Sequence, residues 1–309
     1  MSGAVPGEVK HRWLIIAWAS IAVAVAVYVL AVLTPVGQAL ENAALRGADQ
    51  AAAAESGQAD TALGRITVYS LAAAVVVVAA VGLLRRRLDL TIAAVGVIGL
   101  GQVVTQALKR FVLPRPELVP VSDAYQGNSL PSGHTTIAMT VLFAVLIVLP
   151  HRWRGVAMFF VLSWAVWIGA YTITAKWHRL SDTLAADAVS LAIACFASVW
   201  LARRGLVSAY EGPRKIPRVL IAVFFGGVAA ASLALGLVLW LVPIGTEGFA
   251  ETVRTNTWTV YLGAGSLAAA GSILAALVFL ASWRRLQTER PDPHSSSAPT
   301  SAASSGTVR

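Results

Sequence analysis

The chain has 309 residues, 57% of them hydrophobic and only 13% charged, against about 25% charged in a typical soluble domain. That deficit excludes an ordinary soluble enzyme and points to an integral membrane protein. The net charge of +9 does not imply nucleic-acid binding, because the basic residues fall in short clusters between apolar runs, where they encode orientation in a bilayer.

Apolar runs near 20 residues predict eight membrane-spanning helices, at 13–33, 66–84, 90–108, 134–150, 155–175, 183–202, 218–242 and 258–282. None shows the period-two alternation of barrel strands. The fold class is therefore all-α: a polytopic membrane helix bundle with a six-helix core and two additional C-terminal helices. Lys10, His11 and Arg12 precede the first run, which is longer than the apolar part of a secretory signal and reads as a retained helix.

The segment 34–65 is Ala-rich, with Glu41, Asp49, Glu55 and Asp60 against Arg46 and Arg65, and predicts a short surface helix. Basic clusters recur at every second boundary: around Lys10, at Arg85 to Arg87, at His151 to Arg154, from Arg203 to Arg218, and at Arg284 and Arg285. The positive-inside rule puts these, and both termini, on the cytoplasmic side of a plasma membrane. The loops 34–65, 109–133, 176–182 and 243–257 then face the exterior. The expected organisation is a cytoplasmic N-terminus at 1–12, a six-helix core at 13–205, a two-helix segment at 206–283 and a Ser/Ala/Pro-rich cytoplasmic disordered tail at 284–309. The lone Cys195 allows no internal disulfide and no cysteine-built metal centre.

Two exterior boundaries carry chemistry. Pro131, Ser132 and Gly133 make a tight turn before His134, which opens a helix whose first amides are unpaired and ready for an anion. His178 and Asp182 are four residues apart, so one helical turn brings them together. A carboxylate on one imidazole nitrogen fixes the tautomer and makes the other a nucleophile. Lys109 and Arg115 lie in a loop that breaks the charge rule, and guanidinium suits two phosphate oxygens. Gln102, Thr105, Gln106 and Lys109 recur at helical spacing, a stripe that helix packing also explains. Asp187 is a carboxylate within a span, where such residues have functional roles by default. His11, His151 and His294 read as interfacial or solvated residues.

These residues resemble the type 2 phosphatidic acid phosphatase superfamily over about 66–200. The family's motifs are K-x6-R-P, P-S-G-H and S-R-x5-H-x3-D. The second is intact at 131–134; the third is matched at His178 and Asp182. The resemblance implies His178 as the nucleophile forming a phosphohistidine, Asp182 as its orienting acid and His134 as the general acid. It implies Lys109, Arg115, Ser132 and Gly133 as phosphate-binding residues, with no metal or other cofactor. There are two departures. Arg115 lies six positions after Lys109 rather than seven, and Tyr171 and Thr172 stand where Ser and Arg are expected. Arg110, Lys176 and Arg179 are candidates to replace the missing charge, and Asp187 to support the site from beneath.

The expected reaction is hydrolysis of a lipid phosphate or pyrophosphate at the outer membrane face. Undecaprenyl or decaprenyl pyrophosphate, phosphatidic acid and phosphatidylglycerol phosphate are the candidates by resemblance. The alternatives are a phosphotransferase using the same intermediate, or a non-catalytic phospholipid-binding or transport protein. The partners expected are the lipid substrate and the bilayer, and not nucleic acid. The Ala-, Val- and Arg-rich composition points to a GC-rich bacterial source.

Overall fold

The computed structural model describes residues 7–66, 68–122, 127, 129–213 and 216–288. Arg214 and Lys215, the N-terminal residues 1–6, and the tail from 289 with His294 lie outside the described residues. The described chain is almost wholly helical. In order it forms α1 (Gly7–Val27), α2 (Pro35–Ala48), α3 (Ala53–Gly64), α4 (Val68–Leu84), α5 (Leu88–Ala107), α6 (Gly133–Val148), α7 (Arg154–Thr174), α8 (Leu180–Arg203), α9 (Ile216–Glu247), α10 (Phe249–Thr255) and α11 (Thr257–Ser282). Two short strands, β1 (Ser208–Ala209) and β2 (Leu286–Gln287), pair antiparallel. The helices α1 and α5 each continue into a π-helical turn, Tyr28–Val32 and Leu108–Val112.

All eight runs expected from the sequence are helical. Six are long and apolar enough to cross a membrane: α1 and α5 with their π turns, α7, α8, α9 and α11. The pair α3 and α4, bent by 59°, makes a seventh taken together. The expected span 134–150 is shorter than drawn. It starts where Ser132 caps α6 and stops at Val148, before Pro150. Its 16 residues rise about 24 Å, short of a hydrocarbon layer of roughly 30 Å.

The helix α8 is the axis of the bundle. Most of its residues are buried, many of them alanine or serine, and it packs on α1, α5, α6 and α11. Small side chains let backbones approach closely where lipid supplies no hydrophobic drive between helices. The helix α9 is the opposite case: only Phe225, Ala229 and Gly236 are buried, and it leans mainly on α11. Its exposed Leu220, Val223, Leu241 and Val242 present an apolar face suited to lipid.

Segment 34–65 is more than a surface helix. Thr34 accepts the Gly37 amide through its hydroxyl and Pro35 opens α2, a well-formed start. One face of α2, including Gln38, Glu41 and Asn42, is then buried. Gly47 permits this docking, since a Cβ there would collide with the Thr257 carbonyl of α11. The helix thus lies across the end of the bundle where α6 and α8 begin.

Candidate active site

Two chain reversals set the histidines side by side. The α7 C-terminus ends with Lys176 at φ 59°, and the carbonyl of Thr172 accepts both the Trp177 and His178 amides at 3.0 Å. This satisfies the end of the helix and delivers His178 to the start of α8. The turn before α6 is tied to the same place by Ser132 N–H donating to the Asp182 carbonyl at 2.9 Å. The rings of His134 and His178 come to lie with centroids 6.3 Å apart. Trp177 flanks His134 at 5.3 Å between centroids.

Asp182 is fully buried and highly bonded. Its Oδ2 accepts the Ser129 hydroxyl at 2.5 Å, the Arg179 amide at 2.8 Å and His178 Nδ1 at 3.2 Å. With two firm donors already on that oxygen, the Nδ1 contact is an N–H donor to a carboxylate. That leaves His178 Nε2 as the nitrogen with a lone pair. Ser132 is also buried; its hydroxyl oxygen caps α6, accepting the Thr135 amide at 3.3 Å and the Thr135 hydroxyl at 3.1 Å.

The cations divide between those near the histidines and those elsewhere. Lys109, on the π-helical turn after α5, lies within electrostatic range of Asp182 and His134; single π turns recur at functional sites. Arg115 is brought to Glu41 of α2, its guanidinium 3.4 and 3.5 Å from one carboxylate oxygen. Arg179 donates to the Ser129 hydroxyl at 3.1 Å and sits in the field of Arg115, Asp182 and Glu41. Of the three residues considered for the missing charge, Arg179 is the one at this cluster. Lys176 is turned aside to Asp49, and Arg110 is exposed. Thr172 itself is wholly buried, its hydroxyl on the Gly169 carbonyl. Asp187 lies further down α8 and bonds Ser272 of α11 at 2.9 and 3.1 Å, tying those helices rather than touching either histidine. In the stripe on α5, Thr105 meets the Thr136 hydroxyl of α6 at 3.0 Å, so that residue serves packing.

Sequence reasoning missed Glu41. The carboxylate is buried, and its second oxygen accepts the Ser181 amide at the start of α8 at 3.1 Å. Burial, reinforced by Asp182, pushes its carboxyl above the usual range, while Ser181, Arg115 and Arg179 pull the other way. Burial and the neighbouring Arg115 lower Arg179, against Asp182 and Glu41. One turn earlier Gln38 grips the loop after α5, donating to the Pro116 carbonyl at 2.7 Å and accepting the Leu118 amide at 3.1 Å. The sequence signal was available in the spacing Gln38-x-x-Glu41-Asn42, a polar face on an otherwise Ala-rich helix. No group of three or more His, Cys, Asp or Glu placed to hold a metal occurs among the described residues.

The described chain is a polytopic, all-helical membrane bundle in which two imidazoles, a buried carboxylate and several cations gather at one end. Residues 90–206 match the model of the PAP2 superfamily, so this segment is similar to the type 2 phosphatidic acid phosphatase superfamily. Its members are in general phosphatases. No curated protein and no solved structure matches the chain. The matched segment contains Lys109, Arg115, Ser132, His134, His178 and Asp182, but neither Glu41 nor α9 to α11.

Proposed function

We propose that the chain is a membrane phosphatase that hydrolyses a lipid phosphate or polyprenyl pyrophosphate through a phosphohistidine. The observation that carries this reading is the pairing of a His178–Asp182 dyad with His134 at 6.3 Å between ring centroids, a gap suited to one phosphorus between two imidazoles. In the first step the Nε2 lone pair of His178 attacks phosphorus in line. The bond from phosphorus to the leaving oxygen breaks, and His134 donates a proton to that oxygen. In the second step water attacks phosphorus, gives its proton to His134, and the P–N bond electrons return to Nε2. Asp182 stabilises the positive charge that His178 acquires, as an orienting carboxylate does in nucleophilic catalysis.

Phosphoryl transfer depends mainly on positioning and on neutralising charge on the equatorial oxygens. Lys109, Arg115, the Gly133 and His134 amides at the α6 start, and Arg179 fill that role in this reading. Arg179 takes the part of the cation absent at Thr172. The Ser132 hydroxyl, whose oxygen caps α6, donates its hydrogen toward the phosphate. A lipid substrate follows from the setting: a site at the N-terminus of a short helix inside a bundle admits a headgroup phosphate while the tail stays in the bilayer. The orientation we assign has both termini cytoplasmic and the site facing the exterior of the plasma membrane.

The test is phosphate release from phosphatidic acid, phosphatidylglycerol phosphate and undecaprenyl pyrophosphate by purified protein in detergent with chelator present. His178→Ala and His134→Ala should each abolish release while the proteins elute as wild type. Wild-type turnover in either variant rejects the assignment. Product that depends on an added alcohol acceptor, with no phosphate released to water, favours the transferase alternative.

A further inference from the structure

The end of the bundle opposite the histidines holds a second feature that the proposed reaction does not use. A pocket of about 490 Å³ opens between α9, α11 and the loop carrying β1. It lies on the order of 30 Å from the histidines, the rise of a helix such as α8. Its rim is basic: Arg218 from α9, Arg284 and Arg285 after α11, and His151 before α7. Among the described residues, no acidic side chain lines it. Its wall is apolar, from residues such as Ala222 of α9 and Leu277 of α11.

The pocket is built rather than frayed. Arg218 is anchored by donating to the Leu280 carbonyl at 2.8 Å, and its Nη1 has no hydrogen-bond partner among the described residues. His151 stacks on Tyr210 at 4.0 Å between centroids, forming one side. Tyr210 and Arg285, both on the lining, are tied by the Tyr210 amide donating to the Arg285 carbonyl at 2.8 Å, beside the β1–β2 pair. Arg284 and Arg285 are exposed and carry their charge to the mouth.

We propose that this pocket holds one anionic phospholipid, with its phosphodiester among the arginines and its acyl chain along the α9–α11 wall. The charge complementarity and the apolar wall both argue for a lipid over a free anion: a basic pocket between transmembrane helices suits an acidic headgroup. The helix α9 has few buried residues of its own, so a lipid in this slot extends the packing that holds it to α11. The inference does not depend on the phosphatase reading, because a phosphodiester lipid on this face is neither near His178 nor a phosphomonoester.

The test is native mass spectrometry of the full chain released from nanodiscs containing equal phosphatidylglycerol and phosphatidylcholine with the same acyl chains. Phosphatidylglycerol should be retained over phosphatidylcholine by roughly thirtyfold, the scale expected for two basic residues near a headgroup. The double variant Arg284→Gln/Arg285→Gln should erase that preference. Ala222→Trp, which fills the apolar wall and keeps every charge, should lower retention of both lipids. Equal retention by the wild type overturns the proposal, and that comparison needs no variant to fold. Loss in the arginine variant with none in Ala222→Trp leaves only an anion site and also overturns it. So does retention that appears only when the chain is ended after Thr288, which would make its own tail the occupant.

Discussion

Glu41 gathers an arginine and a helix-end amide around one buried carboxyl, within the electrostatic field of Asp182. Ionised, it competes for Arg115 and repels a phosphate dianion; protonated, it still accepts the Ser181 amide and leaves the arginines to the substrate. Its carboxyl is held above the usual range, so the proton persists to higher pH than on an exposed glutamate. The KM for a lipid phosphate should therefore rise as pH climbs through that raised value. Glu41→Gln keeps the acceptor without the charge, and its KM should stay flat over the same interval, with kcat little changed. Glu41→Leu, which loses the acceptor for Ser181, should lower kcat as well. A KM that rises equally in wild type and Glu41→Gln would show that another group titrates. Arg179 gives a second prediction at this scale. Removing one donor that stabilises transition-state charge costs on the order of 10²–10³ in kcat, so Arg179→Gln should fall by that amount and Arg179→Lys by less. Thr172→Arg should not raise activity, because Thr172 is fully buried and its hydroxyl and carbonyl are both in use.

Among the elements, α2 is the least expected and the most consequential. It grips the loop after α5 through Gln38, meets Arg115 and Ser181 through Glu41, and packs on α11 across Gly47. Gly47→Leu should lift α2 from α11, since overpacking of this kind costs about 1–3 kcal/mol. The expected result is a several-fold loss of kcat/KM measured with a lipid phosphate, with far-ultraviolet circular dichroism unchanged. Unaltered kinetics would place α2 outside the site. Legibility in the sequence follows the range of the interaction. The π-turn lysine, the P-S-G-H turn and the His178–Asp182 pair were readable because each is local: a cap, a turn and an i, i+4 spacing. The eight helices were readable because lipid forces the backbone to satisfy itself. Glu41 to Arg115 and Arg179 to Ser129 span 74 and 50 residues, and no period or spacing encodes such a meeting. The α6 boundary was misdrawn because apolar composition runs on past Val148, while the helix is ended by backbone geometry before Pro150.

At the scale of the molecule, the last long helix, α11, is joined to the core by polar contacts that lipid cannot replace. Ser272 of α11 bonds Asp187, Trp283 donates to Ser198 at 3.1 Å, and Trp13 donates to Ser282 at 3.0 Å. A chain ended after Gly205 would leave Asp187, Ser198 and Trp13 without these partners, and should aggregate on size exclusion rather than give an active core. The same end of the bundle shows why the charge asymmetry is so strong. Arg85, Arg87, Arg154 and Arg218 each donate to a main-chain carbonyl there, on Val148, Thr288, Leu286 and Leu280. These arginines are structural pins as well as topology signals. At the opposite end Arg115 and Lys176 are matched by Glu41 and Asp49, so cations near the histidines count less toward orientation. The orientation we propose, from the positive-inside rule, has the pinned end in the cytoplasm. Cys195 is buried in α8, so single reporter cysteines can be read against a quiet background. Leu118→Cys, near the histidines, should react with a membrane-impermeant maleimide on intact cells. Trp153→Cys, at the arginine end, should react only after permeabilisation. The reverse pattern would turn the proposed site to the cytoplasm and restrict its substrates to lipids of the inner leaflet.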